Sequence, residues 1–183
     1  MKELLEKYIP YNEQEAKDKE VMLKYLHDFD NVYTRENEYG HFTASSWIVN
    51  KDRTKVLMIY HNIYDSWGWT GGHADGETNL YNVAVREANE ETGITDLKPL
   101  VDGIFSIEIL TVNGHVKRGK YVSSHVHLNV TYLFEADDTI PLRIKEDENS
   151  GVKWVDIDKA VELSTEDNMK VVYKKIIDKL KGV

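Results

Sequence analysis

Glu87, Glu90 and Glu91, set in Arg86-Glu87-Ala88-Asn89-Glu90-Glu91, are the residues whose type and spacing point most directly to chemistry. Carboxylate oxygens at this density suit Mg²⁺ or Mn²⁺. Upstream, Trp67-Gly68-Trp69-Thr70-Gly71-Gly72-His73-Ala74-Asp75-Gly76-Glu77 reads as a strand end and a glycine-rich loop. Gly71, Gly72 and Gly76 let such a loop turn tightly and bring its backbone close to a ligand. The following segment predicts a helix that begins near Thr78 or Asn79 and stops before Gly93, a residue suited to the position just past a helix end. With about 100° of turn per residue, Leu80, Val83 and Ala84 make an apolar stripe. Glu87 and Glu91 continue that stripe, Glu90 sits on its shoulder, and Asn82, Arg86 and Asn89 lie opposite. A solvated acidic face would not put carboxylates where core residues belong. Inward-facing like charges cost several kcal/mol unless something cationic sits among them. The stripe predicts a metal site.

The same residues resemble the Nudix box: Gly, five residues, Glu, seven residues, Arg-Glu, an apolar residue, any residue, Glu-Glu, any residue, Gly, apolar. Gly72 matches the first Gly, and Arg86 to Ile94 match the second half position by position. The intermediate Glu departs from the pattern: Thr78 holds its place, and Glu77 precedes it. Trp67 to Gly72 also resembles the family's approach to the box, with Thr70 where Pro is common. The resemblance covers roughly residues 40 to 180. It implies an α/β/α sandwich and hydrolysis of a nucleoside diphosphate linked to another group, or of a related small phosphorylated metabolite. On this reading Glu87, Glu90 and Glu91 are metal ligands and catalytic carboxylates. Gly72 offers its carbonyl to the metal, and Arg86 is a positioning residue paired to Glu90 four positions on.

Other residues are candidates in their own right. Glu148, in Asp147-Glu148-Asn149-Ser150-Gly151, is the best placed distant carboxylate. His73, His125 and His127 suit the polar wall of a substrate pocket. Neither a cysteine nor a third spaced histidine completes a tetrahedral zinc site from the sequence. Trp67, Trp69 and Tyr64 are able to stack on a base, with core packing the competing role. Lys117, Arg118 and Lys120 gather just after Asn113-Gly114, a strong turn signal, and a basic hairpin tip there is suited to substrate charge.

The elements that position these groups form an α/β pattern with a mixed sheet between helices. Residues 1–40 read as a helical N-terminal extension and 41–183 as the Nudix-like domain. In the extension Asn12 caps a helix with Glu15 three residues on, and Met22, Leu23, Leu26 and Phe29 form its stripe. Strands are expected over His41 to Val49, Val56 to Tyr60, Gly103 to Val112, Ser123 to Phe134 and Val152 to Val155. In the fourth of these Val126, Leu128, Val130 and Tyr132 alternate with His125, His127, Asn129 and Thr131, which predicts one core face and one polar face. Ser164 is placed to cap a last helix whose inward side is Met169, Val172, Tyr173, Ile176 and Leu180.

The 183 residues suffice for one domain with a core. A hydrophobic fraction of 41% with mixed charge marks a globular chain. The net charge, 23 − 32 = −9, argues against broad binding of nucleic-acid polymers or anionic membranes. Absence of cysteine excludes disulfides, thiolate metal sites and cysteine nucleophiles. No signal-length apolar run opens the chain, so a cytoplasmic protein is expected, acting on a small-molecule diphosphate and compatible with a homodimer. Two competing functions follow from the resemblance. An isopentenyl-diphosphate-type isomerase relies on an active-site cysteine, which this chain lacks. A non-catalytic Nudix-like ligand-binding or regulatory module would usually show a damaged glutamate cluster or an attached DNA-binding domain; this sequence shows neither, and the displaced Glu77 is the feature that keeps this alternative open.

Overall fold

The computed structural model describes residues 1–117 and 119–183, with Lys117 described by its backbone. The elements run α1 (Lys2–Lys7), α2 (Glu13–Asp28), β1 (Gly40–Val49), β2 (Lys55–His61), β3 (Ser66–Gly68), β4 (Thr70–His73), α3 (Leu80–Thr92), β5 (Lys98–Pro99), β6 (Ser106–Val112), β7 (His115–Lys117), β8 (Lys120–Val122), β9 (His125–Glu135), β10 (Asn149–Asp156), a 3₁₀ turn (Ile157–Lys159), α4 (Ala160–Leu163) and α5 (Asp167–Leu180). The main sheet has the order β10-β2-β1-β9-β5, with β3 on β2, β4 on β1 and β6 on β9. β1 runs parallel to β9 and antiparallel to β2 and β4, so the sheet is mixed.

Alternation along β1 and β9 divides the core into two layers. Phe42, Ala44, Ile48, Leu128, Val130 and Phe134 pack with Val83, Ala84 and Ala88 of α3. Trp47, Val49, Met58 and Leu133 pack with Tyr173, Ile176 and Leu180 of α5. This is the α/β/α sandwich, with helices on both faces of the sheet. Among the described residues no helix is long and apolar enough to cross a membrane.

The N-terminal helices are built into this body. Leu5 and Met22 are fully buried in the layer that holds α3, whereas Phe29, just past the end of α2, is 37% exposed. The Asn12 side chain caps α2 by accepting the N–H of Glu15 at 2.9 Å. The α2 side chains also cover the edge of β6. Asp18 accepts the Ile109 N–H at 2.9 Å, and Gln14 donates to the Ile107 carbonyl at 3.2 Å. An open strand edge is thereby satisfied by a helix.

The polar face expected for β9 is buried. Asn129 and Thr131 are at most 1% exposed, because α5 and α2 cover that side of the sheet. Their polar atoms are met within the protein. Thr43 and Ser45 donate to the Asn129 Oδ1, and Asn129 and Thr131 donate to Glu108. The chain of contacts then runs through Ser106 to Glu15 and through Lys175, which lies 3.0 Å from Glu108 and 3.1 Å from Glu15. Lys179 completes it at 2.7 Å from Glu15. Burial raises the Glu15 carboxyl, but hydrogen bonds from Lys179, Tyr8 and the Tyr11 amide, with the charge of Lys175, outweigh it and bring the pKa down to about 2.

Two local expectations are corrected. Ser164 is not the helix cap: α5 starts after Glu166, and the Ser164 hydroxyl is shared by Ser66 and the Glu166 amide in the preceding turn. The Asn113-Gly114 pair separates β6 from a small β7–β8 ribbon, whose turn uses Gly119 at φ 77°. The strand expected from Gly103 begins only at Ser106, since Gly103 itself is at φ 81°.

Candidate active site

Helix α3 carries the carboxylates, and its two ends are fixed by local chemistry. The Asn79 side chain accepts the Tyr81 N–H at 3.2 Å, and Glu77 accepts the Asn79 N–H at 2.7 Å. Glu77, the displaced acid of the sequence pattern, thus stabilises the helix entry in this structure, where a carboxylate also complements the helix dipole. Gly93 ends the helix in the left-handed region at φ 80°, and its N–H is bonded to the Asn89 carbonyl.

The glycine loop is pressed against the inward side of this helix. Glu91 is 1% exposed and accepts the Gly71 N–H at 3.0 Å. A Cβ placed on Gly72 would lie 2.4 Å from Glu87 Cδ, so glycine is needed for Glu87 to sit there. Arg86 Nη2 reaches Glu87 at 3.0 Å. The expected Arg86–Glu90 pairing is therefore replaced, because Arg86 turns back along β4 toward the His73 carbonyl. Glu90 instead pairs with Lys145 at 2.8 Å, and the same ammonium reaches Glu148 at 3.0 Å. The structure thereby brings the distant Glu148 to the α3 cluster.

Lys145 and Asn149 carry no motif in the sequence, yet they hold this junction. Asn149 is fully buried; it donates to the Glu91 carbonyl at 3.0 Å and accepts the Lys145 N–H at 3.2 Å. The one signal for Lys145 is its position, with Arg143, as a cation in an otherwise acidic loop. Burial raises the Glu87 carboxyl, partly offset by Arg86. Burial raises Glu91 further, to about 8; the Gly71 amide opposes this, and the charges of Glu87 and Glu148 add to it. Lys145 is raised despite its partial burial, by Glu90 and Glu148. With Glu87 and Glu91 largely buried, Glu90 and Glu148 more exposed, and four carboxylates against the two cations Arg86 and Lys145, this oxygen-rich donor set fits a hard divalent cation.

Successive β4 residues face opposite sides, so His73 points away from Glu87. Register then assembles histidines. His41 of β1 pairs with His127 of β9, and Thr43 pairs with His73. The His41 ring lies 5.2 Å from those of His73 and His127, and 5.0 Å from that of His125. Spacing along the sequence offers no third histidine to complete a site with His125 and His127; strand pairing brings His41 beside His73 and His127.

The remaining candidates fall elsewhere. Trp67 packs edge-on to Tyr60 while Lys153 Nζ sits 4.0 Å over its ring, which covers one stacking face. Trp69 packs edge-on to Tyr173, and Tyr64 lies against His61. Lys120 is exposed on the β8 ribbon; Arg118 and the Lys117 side chain lie outside the described residues. A concavity of about 590 Å³ lined by Leu4, Tyr81, Val101 and Tyr132 contains none of the carboxylates or histidines.

Comparison with known proteins agrees with this geometry. The model of the NUDIX domain matches residues 39–180. An RNA pyrophosphohydrolase of Pelagibacter ubique (strain HTCC1062) is 26% identical over 140 residues, covering 74% of this chain and 88% of that protein. Among solved structures, a C. elegans Ap4A hydrolase binary complex superposes with TM-score 0.58 at 20% identity, over 77% of this chain and 99% of that one. The E. coli dihydroneopterin triphosphate pyrophosphohydrolase gives 0.57 at 16% identity, over 74% and 94%. These structural likenesses speak to the fold. With the family model spanning most of its length and the glutamate helix in place, the chain belongs to the NUDIX domain family, as an enzyme of the Nudix pyrophosphohydrolase type.

Proposed function

We propose that this protein hydrolyses a diphosphate linkage in a small nucleotide or related phosphorylated metabolite, using Mg²⁺ or Mn²⁺ held by Glu87, Glu90, Glu91 and Glu148 together with the Gly72 carbonyl. One observation carries the reading: Glu91 and Glu87 are packed against Gly71 and Gly72, with Glu148 joined to Glu90 through Lys145. The family generally uses divalent ions. A cation bound there would supply charge neutralisation at the diphosphate oxygens.

The chain's own groups do the rest. Arg86 fixes the Glu87 rotamer through its 3.0 Å contact. Asn149 and Lys145 hold the Glu148 loop against the end of α3. One of the four carboxylates accepts a proton from the attacking water, a contribution of about 10²–10⁴-fold. Burial of Glu91 makes it a stronger base than an exposed carboxylate once ionised. His73, His125 and His127 share the face of β4 and β9 that is turned away from Glu87, and their assignment to the substrate rests on the sequence pattern alone.

The relative that acts as an RNA pyrophosphohydrolase makes an RNA 5′ end the second substrate class to test. The net charge of −9 favours the smaller substrates, because a long phosphate backbone would be repelled. The deciding experiment is hydrolysis of a panel of nucleoside diphosphate derivatives, dinucleoside polyphosphates and a 5′-triphosphorylated RNA, with Mg²⁺ present or chelated and products identified. Turnover of no diphosphate-containing compound would reject the reading. Metal-dependent turnover of the RNA alone would move the substrate class to RNA ends.

A further inference from the structure

We propose that His41, His73 and His127 form a second metal site, built from imidazoles for a late first-row divalent cation such as Zn²⁺, on the face of the sheet turned away from Glu87 and chemically distinct from the carboxylate cluster. Each residue offers one ring nitrogen, and these nitrogens all lie within 4.8 Å of one another. A tetrahedral zinc with Zn–N near 2.0–2.1 Å needs separations of about 3.3 Å. Ring rotations and shifts of little more than about 1 Å close that gap.

Two orphaned atoms point to a ligand. His41 is 4% exposed, and its Nε2 is buried with no hydrogen-bond partner. The Nε2 of His127 is buried and unpartnered as well. Leaving such atoms unpaired costs about 1–3 kcal/mol each. The tautomer of His41 is set by its other nitrogen: Nδ1 lies 3.0 Å from the Asn37 carbonyl, which can only accept. Nδ1 therefore carries the proton, and in the neutral ring Nε2 presents a lone pair. A metal-binding histidine is commonly oriented in this way, by donating its second nitrogen to a backbone carbonyl.

The surroundings favour neutral rings at His41 and His127, as ligation requires. Burial lowers the pKa of His41. It lowers that of His127 to about 2, helped by the neighbouring histidines. A neutral imidazole that presents an unpartnered lone pair, as His41 does, cannot hold an anion through that atom but suits a borderline cation. Imidazole favours zinc, copper or nickel, whereas the carboxylate cluster favours magnesium. His125 stacks on His41 at 5.0 Å, with its Nδ1 donating to the Ser123 carbonyl. It buttresses the trio without joining it, and three protein ligands leave a fourth position open, the pattern of zinc sites that take water or a substrate atom.

The test uses the full chain without a polyhistidine tag, stripped of metal and held in millimolar MgCl₂ so that the carboxylate site is satisfied. ZnCl₂ is titrated by calorimetry, and CoCl₂ is followed by its visible absorption. One Zn²⁺ should bind per chain despite the Mg²⁺. His41→Gln, His73→Gln and His127→Gln should each weaken it by at least the roughly 10–100-fold that loss of a mere outer-shell partner costs. Glu87→Gln with Glu91→Gln should leave Zn²⁺ affinity within a few-fold, as should His115→Gln. If a buried-histidine variant loses its fold by circular dichroism, the half-buried His73→Gln still decides the question. Absence of Zn²⁺ binding, or binding indifferent to all three histidines, overturns the proposal. So does binding abolished by the glutamate pair alone, which would place the ion in the carboxylate cluster.

Discussion

The Glu91 carboxylate and the Gly71 amide meet at 3.0 Å, 20 residues apart in sequence, and this bond joins helix α3 to strand β4. It holds an acid that is 1% exposed in a position where burial raises its pKa to about 8. A group held above its unfolded value contributes stability below about pH 4.5 and loses it as pH rises through about 8.

Glu91→Gln is therefore expected to keep the fold and lose function. The amide preserves shape and still accepts from Gly71, while the charge that would bind a cation is gone. Turnover should fall by at least about 10²-fold. Without metal at pH 8.5 the variant should melt above the wild type, since the unfavourable buried charge is absent. Activity within a few-fold of wild type would remove Glu91 from the metal site.

Divalent cations should raise thermal stability. A ligand that binds only the folded state contributes about 2.7 kcal/mol at a hundredfold excess over its Kd. For a chain of this size that is roughly 5–10 °C in Tm. Scanning calorimetry across a Mg²⁺ or Mn²⁺ titration to millimolar levels checks it, and a flat Tm would count against a preformed site.

Gly72→Ala should separate folding from function. The added Cβ would meet Glu87 Cδ at 2.4 Å, and the flexible end of that side chain is able to swing away. Stability should change by less than about 1 kcal/mol, yet metal affinity and kcat should both drop, because Glu87 no longer faces the cluster. Denaturant melts paired with cation titrations will show whether the two effects part.

Acid should attack the fold through Glu15. Its pKa is held down to about 2, so its contribution is present above about pH 4.5 and is lost as pH falls toward 2. Glu15→Gln leaves Lys175 and Lys179 without the acid that both contact and should destabilise by about 3–5 kcal/mol at pH 7. Urea unfolding from pH 7 to pH 2 should give a steeper loss for the wild type than for the variant.

The basic ribbon gives a kinetic prediction. Changing Lys117, Arg118 and Lys120 together to Ala should raise KM several-fold and leave kcat near its original value, as expected when ground-state binding is lost. An unaltered KM takes the ribbon out of the substrate site.

What the sequence determined by itself was local. The Asn12 and Asn79 caps, the Gly93 terminus and the inward line from Leu80 to Glu91 follow from helix geometry and side-chain chemistry within a few residues, and α2 and α3 adopt them. The glutamate helix was legible because 3.6-residue periodicity makes a carboxylate on an apolar stripe an anomaly. Alternation along β9 was legible too, but not what covered it. Burial of Asn129, Thr131 and Glu108 depends on α2 and α5, which come from the two ends of the chain. The same holds for the candidate site. Lys145 and Glu148 reach Glu90 across 55 and 58 residues of sequence only because Asn149 is fastened to the end of α3. His41 joins His73 and His127 by strand register, and register is a tertiary choice, set by which faces of a sheet are buried rather than by any spacing along one strand.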